Sequence, residues 1–430
     1  MTRRNLRARY KSFYLKSEEA LAPYAQKNEG LAVKRIYPES EKLIGQRLDF
    51  QLDRDKIIHS RAFRRLMHKT QIVHNNQGDH LRTRLTHTLE VAQIARSISK
   101  ILGLNEELTE AIALGHDLGH TPFGHIGERT LHQILSGELL ADNKIMNFGG
   151  FKHNFQSVHI ADNLEQWADD NVGFNLTLAV RDGILKHTEI SYSEEIVKYP
   201  DFKYISLLND IPFTLEGQVV KIADEIAQLT HDIEDGKRLR ILDSDDFIDS
   251  ILVRKVARRY KVTASKIKNY DTRQLRCHII GPMVGYLIDN VVTTTLRNLE
   301  NEFGHKNFPR SFDKQYVSFG QISIANDQLK EMVKDMVINS LEVSRMDSRA
   351  KYLIKKLYRA YWANPSQLPD LILTKYFNQI GQEKFSRKAL HKQINSMHED
   401  KNFARAICDH IAGMTDNYAF LEYTRLYMPE

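Results

Sequence analysis

The stretch Arg84–Leu102 constrains this chain more than any other. His87, Val91, Ile94, Ile98 and Ile101 fall at steps of four, three, four and three, which marks one face of an amphipathic helix. That face is aliphatic apart from one imidazole, and a histidine buried there needs a hydrogen-bonding neighbour or a cation. Asn105 followed by Glu107 and Leu108 reads as an N-cap opening a second helix through Leu114. Further helices are expected around 156–169, 175–188 and 215–235, with several between 246 and 430, and Pro200 and Pro212 punctuate the interval between two of them. Strand-like alternation is scarce, and Gln315–Ile324 is the best short candidate. The expectation is an all-α fold with minor β and neither repeats nor low-complexity segments. A working division has an N-terminal segment at 1–54, a catalytic core at 55–235 and a helical C-terminal region at 236–430.

A chain of 430 residues can bury one large core or two modest ones. Its basic N-terminus lacks the apolar run of a signal peptide. No stretch of about 18 uncharged apolar residues occurs, so no membrane span is expected. Cys277 and Cys408 lie far apart without metal-site spacing, which argues against a disulfide framework and fits a cytoplasmic location. The net charge of +6 favours anionic ligands, nucleotides or nucleic acid among them. More than a third of the 18 histidines lie between His59 and His120.

The densest chemistry is in Leu114–Glu128, where His116, Asp117, His120, His125 and Glu128 are spaced by glycines and one proline. Side chains of helical neighbours diverge by about 100°, so His116 and Asp117 can turn toward one ion only at a helix end, which Gly115 and Gly119 favour. Borderline metals accept both imidazole nitrogen and carboxylate oxygen. Two further ligands must come from elsewhere. His87 is one candidate. Asp224 is the other, because it shares a helical face with Val220 and Ala227, and a buried carboxylate is costly unless paired or metal-bound. Taken singly, each has an ordinary reading: a hydrogen-bonded core histidine, a chance His-Asp pair, a surface carboxylate. Their order along the chain is what points to a metallohydrolase.

The wording around these residues resembles the HD superfamily and, within it, the deoxyguanosinetriphosphate triphosphohydrolase family. The resemblance runs through Ser60–Leu66 and Lys69-Thr70-Gln71, then Thr83–Val91, His116–Glu128, Asn175-Leu176-Thr177 with Ile184-Leu185-Lys186, Ile222–Asp235 and Ile411–Asp416. It implies a mostly helical fold and one divalent metal per subunit, manganese or magnesium or another transition metal, held by His87, His116, Asp117 and Asp224. It further implies hydrolysis of a deoxynucleoside triphosphate to deoxynucleoside and inorganic triphosphate. Homo-oligomers (hexamers or tetramers) and regulation by nucleotide or single-stranded nucleic acid are also implied.

On that basis His125 is the expected acid–base residue. Glu128, three positions on and so one turn away, is its expected partner, and His120 a phosphate contact or second acid–base group. Arg84 lies one turn from His87 and could clamp a phosphate, whereas Arg61, Arg64 and Arg65 read as a solvated basic face. Lys186, Asp232, Gln71 and Asn175 match family positions facing the nucleotide. The chain departs from the family at Glu225, where a second aspartate is usual, and at Gln228 and His410, where tyrosine is usual. The Gln228 position commonly touches the sugar. Two alternatives remain: an HD phosphohydrolase acting on another nucleotide, and a nucleotide- or nucleic-acid-binding regulator without turnover.

Overall fold

The structure is a computed structural model and describes residues 14, 16–39, 47–71, 82–138, 147–168, 171–188, 190, 202–207, 209–304, 307–381, 386–390 and 394–428. The longer helices are α1 (Asp49–Ile58), α2 (Arg61–Arg65), α3 (Arg84–Leu102), α4 (Glu106–Gly115), α5 (Gly124–Leu135), α6 (His153–His159), α7 (Leu178–Leu185), α8 (Leu215–Arg238), α9 (Ile251–Arg259), α10 (Gly281–Phe303), α11 (Ser323–Ile338), α12 (Leu341–Ala363), α13 (Asp370–Gln379), α14 (Lys401–Ala412) and α15 (Asp416–Tyr427). The fold is all-α with minor β: among the described residues the strands are β1 (Gln166–Ala168) and β2 (Asn171–Val172), paired antiparallel.

Helix α3 begins and ends where the chemistry of its termini dictates. The Thr83 hydroxyl accepts from the Thr86 amide, an N-cap bond, and Gly103 closes the helix in the left-handed conformation at φ 68. Its buried side carries Val91, Ala92, Ile94, Ala95, Ile98 and Leu102, each Val, Ile or Leu being worth roughly 1.5–3 kcal/mol of burial. Ile101 departs from expectation, since it is 59% exposed and Leu102 takes the inward place. A stripe repeating every 3.5 residues drifts about 20° per seven residues on a 3.6-residue helix, and two such repeats from His87 carry Ile101 off the core face.

Among the described residues two apolar cores result. The first draws on α1, α3, α4, α7, α8, α9, α10 and α11, from Ala32 to Val337. The second joins α5 (Leu131, Ile134, Leu135) to α12, α13 and α14 (Leu353, Ile354, Leu357, Leu373, Phe377, Ile407, Ile411). The helix that follows the His-Asp turn therefore packs against the C-terminal region. Asp416 fastens this join by accepting from the amides of Thr70 at 2.9 Å and Phe123 at 2.8 Å. Lys69, fully buried, donates to the carbonyls of His120 and Ala412. The run Thr272–Phe303 is long and apolar enough by composition to cross a membrane, but Met283, Leu287, Val291 and Leu299 within it belong to the first core.

Three expectations need correction. Gln315–Ile324 is no strand: it has no regular structure up to Phe319, whose backbone is already helical, and then passes through a 3-10 turn at Gly320–Ile322 into α11. The Gln218 side chain on α8 accepts from the amides of Tyr316 and Val317 and donates to the Lys314 carbonyl, so a side-chain amide satisfies the backbone that a neighbouring strand would otherwise have to. The helix expected at 156–169 starts three residues earlier and ends in a π-helical turn at Ile160–Leu164 before β1. The helix expected at 175–188 starts only at Leu178, because Asn175 sits at φ 53 and Thr177 is extended.

Candidate metal centre

Four side chains from three elements converge on one point. Helix α3 supplies His87, the turn ending α4 supplies His116 and Asp117, and the middle of α8 supplies Asp224. His87 Nε2 lies 2.9 Å from Asp224 Oδ1 and 4.0 Å from Asp117 Oδ2. His116 Nε2 lies 3.8 Å from Asp224 Oδ1 and 3.3 Å from Asp117 Oδ1. Because α4 stops at Gly115, His116 and Asp117 sit in a turn and can both face inward.

The protons on these rings follow from their outer partners. His116 Nδ1–H donates to the Ala113 carbonyl at 2.6 Å, which leaves a lone pair on Nε2. That nitrogen is buried and has no hydrogen-bond partner among the described residues, a state that costs free energy unless something positive meets it. His87 Nδ1 faces His231 Nδ1 at 3.2 Å, and His231 Nε2 is bonded to Glu90. The chain Glu90–His231–His87 is the carboxylate–imidazole backing that orients metal-binding histidines. The burial of Asp224 opposes its ionisation, yet the hydrogen bond and charge of His87 hold its carboxyl well below the usual range. Asp117 is likewise held low against its burial, by the charge of Arg84 and the hydrogen bond from His120. Two ionised carboxylates and two imidazole nitrogens around one point are a donor set that fits a divalent transition cation.

A second row of groups runs beside this centre. His120 Nε2 donates to Asp117 Oδ1 at 3.0 Å, and its buried Nδ1 has no partner among the described residues. Burial and the neighbouring Arg84 charge push this imidazole well below its ordinary value, so it is neutral. The His120 ring stacks on His153 at 3.9 Å between centroids. Glu128 was expected to hold His125, but its closest partner is His153, whose Nδ1 lies 3.0 Å from both carboxylate oxygens. His125 Nδ1 is 3.8 Å from Glu128 Oε2, and its side chain is 55% exposed at the mouth of the site. Burial opposes ionisation of Glu128 too, and the positive field of His153 more than offsets it.

The expected substrate contacts divide. Arg84 is buried, and one guanidinium nitrogen donates to Asp117 Oδ2 at 2.9 Å. Its Nε and other terminal nitrogen are buried with no partner among the described residues. A side chain at Gly124 would place its Cβ 3.5 Å from that arginine and 3.3 Å from the Gln71 carbonyl, so glycine lets the start of α5 close over it. Gln71 is buried, with its side-chain oxygen unmatched among the described residues. Asp232, two turns beyond Asp224, is pushed up to about 7 by burial and by the Asp235 charge. Lys186 is paired with Asp182 at 2.8 Å and reaches Asn209 at 3.3 Å. Asn175 is bound through its amide to both backbone groups of Tyr37. Of the basic face, Arg65 pairs with Glu165 at 3.6 Å. At the departures from the family, Glu225 pairs with Lys330, and His410 packs edge-on to Tyr361.

Sequence reasoning passed over three histidines in this neighbourhood. His153 stands outside the blocks that carry the resemblance, His187 directly follows the expected contact Lys186, and His231 lies inside the Ile222–Asp235 block, one residue before the expected contact Asp232; adjacency to expected contacts was the available signal for the last two.

A helical bundle that aims a histidine, a His-Asp pair at a helix end and a distant aspartate at one point is the architecture of HD-type phosphohydrolases. The HD domain family matches residues 84–229, and the phosphohydrolase-associated domain family matches residues 320–425. A deoxyguanosinetriphosphate triphosphohydrolase-like protein of Caldanaerobacter subterraneus subsp. tengcongensis is 36% identical over 95% of this chain and 93% of its own length. Proteins of that name from Geobacter metallireducens (36% identical, 88% of this chain, 89% of its own length) and Azoarcus sp. (35%, 96% and 98%) match similarly. The chain belongs to the deoxyguanosinetriphosphate triphosphohydrolase-like family of HD phosphohydrolases.

Proposed function

We propose that this protein hydrolyses deoxynucleoside triphosphates to deoxynucleoside and inorganic triphosphate, using a divalent ion, manganese or magnesium, held by His87, His116, Asp117 and Asp224. The observation that carries the reading is the orphaned His116 Nε2 facing two ionised carboxylates, with a proton-handling row of histidines alongside. The names of the relatives support the substrate class. A bound ion would supply Lewis acidity at the phosphoryl oxygens and orient the reacting water.

The chain's own residues supply the rest. Arg84 has two nitrogens with unmatched N–H groups beside the centre and takes the phosphate oxygens. His120 presents an unprotonated Nδ1 that can hold the attacking water. His125, exposed at the mouth, delivers the proton to the departing 5′ oxygen, with Glu128 within reach to orient the ring. Asp232, half protonated at neutral pH, can donate to a sugar oxygen. Lys186, Gln71 and Asn175 complete the nucleotide side, the first and last by shaping the pocket wall through the bonds they already make. Gln228 offers an amide where the family commonly has tyrosine, which favours a broader substrate range. The same reading expects a cytoplasmic homo-oligomer regulated by nucleotide.

Each of four deoxynucleoside triphosphates, singly and mixed, with manganese and with magnesium, tests the proposal. Free triphosphate is the expected product, and activity in mixtures alone indicates an activating nucleotide. Orthophosphate or pyrophosphate as the only product assigns the chain to another nucleotide reaction, and absence of turnover with steeply salt-dependent nucleic-acid binding makes it a regulator.

A further inference from the structure

Between Lys221 and Asp232 the residues of α8 that are not buried are Lys221, Asp224, Glu225, Gln228 and Asp232. At about 100° per residue these five fall within one arc of about 100°. The helix therefore shows a single open stripe, which runs from the metal aspartate to the residue placed at the sugar. His231 bounds the stripe on one side, through its contacts with Glu90 and His87 of α3. On the other side stands α11, whose Lys330 ammonium lies 3.4 Å from Glu225 Oε2. Leu329 and Val333 bury into the first core and fix the helix that carries this lysine. The Lys330 and Glu225 side chains stay 32% and 27% exposed, so the pair is open to a ligand. Burial and the Asp235 charge raise the Asp232 carboxyl, and the Lys330 charge is among those that oppose them, so the field of this cation extends along the stripe.

We propose that Lys330 is a specificity residue of the site, leaving Glu225 to bind the terminal phosphate of a triphosphate chain. The inference rests on the proposed function, which puts the reacting phosphorus at the centre and the sugar at Gln228 and Asp232, one and two turns along α8. With that end of the stripe taken, the flank at Glu225 and Lys221 is left for the outer phosphates. Arg84 already holds Asp117 and serves the reacting phosphate, so the outer phosphates need a further cation. An ammonium is a compact point charge, which suits a phosphate oxygen better than the flat edge of a base. A pair as exposed as Lys330 and Glu225 holds weakly, whereas an ammonium–phosphate hydrogen bond is charge-assisted and strong. Exchange of Glu225 for a phosphate is therefore favourable. In the free protein Glu225 keeps the ammonium turned to the stripe and competes with any anion that falls short of it. A diphosphate or monophosphate gains nothing from Lys330, and a triphosphate does.

Isothermal titration of the full-length protein with inorganic tripolyphosphate, and separately with deoxyguanosine, tests this, with manganese kept in excess of the ligand. Lys330→Ala is expected to weaken tripolyphosphate binding about 10–100-fold, the worth of one charged hydrogen bond, and to leave bound manganese and deoxyguanosine affinity unchanged. Lys330→Arg should recover most of the loss because it keeps the charge, and Glu225→Gln should tighten tripolyphosphate because it removes the competitor. In turnover, Lys330→Ala should raise KM for the deoxynucleoside triphosphate with kcat nearly unchanged. A packing role alone would weaken both ligands together and would not respond to Glu225→Gln. Circular dichroism checks the variants, and Lys330→Gln replaces the alanine variant if that one does not fold. No tripolyphosphate binding by wild type, unchanged binding in Lys330→Ala, or equal loss for both ligands overturns the inference and leaves an ordinary surface ion pair. Triphosphate produced normally, with tripolyphosphate affinity insensitive to Lys330, removes only this inference. Tripolyphosphate affinity that depends on Lys330 without any turnover removes the proposed function and leaves the phosphate site.

Discussion

At His87 the two ring nitrogens have different neighbours, and this sets how the site answers to pH. Glu90 holds the proton of His231 on Nε2, and burial pushes that imidazole down to about 4, so His231 is neutral and accepts at Nδ1. His87 must then donate from Nδ1, and in the metal-free protein it also donates from Nε2 to Asp224. Burial disfavours this charge, but the hydrogen bond and charge of Asp224 win, and the His87 value is raised. Protonated His87 therefore stabilises the metal-free fold below its unfolded value, and that contribution is lost as pH rises through the raised folded value. Metal binding must displace the Nε2 proton, so manganese affinity should fall about tenfold per pH unit below the His87 value. Calorimetry in buffers of different ionisation enthalpy should register one released proton, and pH-independent affinity would contradict the tautomers assigned here. His231→Ala should weaken manganese binding about 10–100-fold without unfolding the protein, and unchanged affinity would remove His231 from the support of the centre. His125→Ala should keep bound metal while turnover falls about 10²–10⁴-fold, and normal rates would take this residue out of the mechanism.

Helix packing decides whether those side chains meet. At Gly119 a Cβ would fall 2.2 Å from the His153 carbonyl and 2.3 Å from the Ser157 amide, so the His-Asp turn lies directly on the backbone of α6. Gly119→Ala should destabilise the protein by about 1–3 kcal/mol and displace His153, and an unchanged melting temperature would deny this close approach. Much at this scale could be read in the residues. Helix α3 has its full span, cap and most of its buried face in its sequence, and α4 has its Asn105 cap. What escaped was governed by distant partners. The apolar side chains in 315–324 are buried, but Tyr316 and Val317 go inside as neighbours and so break the alternation, and their amides are met by Gln218 nearly a hundred residues away. His153 and His187 are single histidines with no motif of their own, His231 was passed over inside its block, and only the meeting of α6, α7, α8 and α3 brings them beside the centre. The link from Glu128 to His153 escaped for the same reason: the one-turn spacing to His125 was visible, and the contact across elements was not.

Over the whole molecule, the two cores meet at the site itself. Asp416 near the C-terminus holds the backbone of Thr70 and Phe123, flanking Gln71 and the start of α5, where His125 and Glu128 sit. Asp416→Ala should cost about 1–3 kcal/mol through its lost backbone bonds and lower activity more than metal binding; equal loss of both would place its effect on the first core instead. The central claim is attack of water at the α-phosphorus of a deoxynucleoside triphosphate. Turnover in ¹⁸O-labelled water, followed by ³¹P nuclear magnetic resonance and mass spectrometry, tests it most directly. The account predicts intact inorganic triphosphate carrying the label on a terminal phosphoryl group and an unlabelled deoxynucleoside. Label in the deoxynucleoside, or released orthophosphate with no triphosphate, would contradict it.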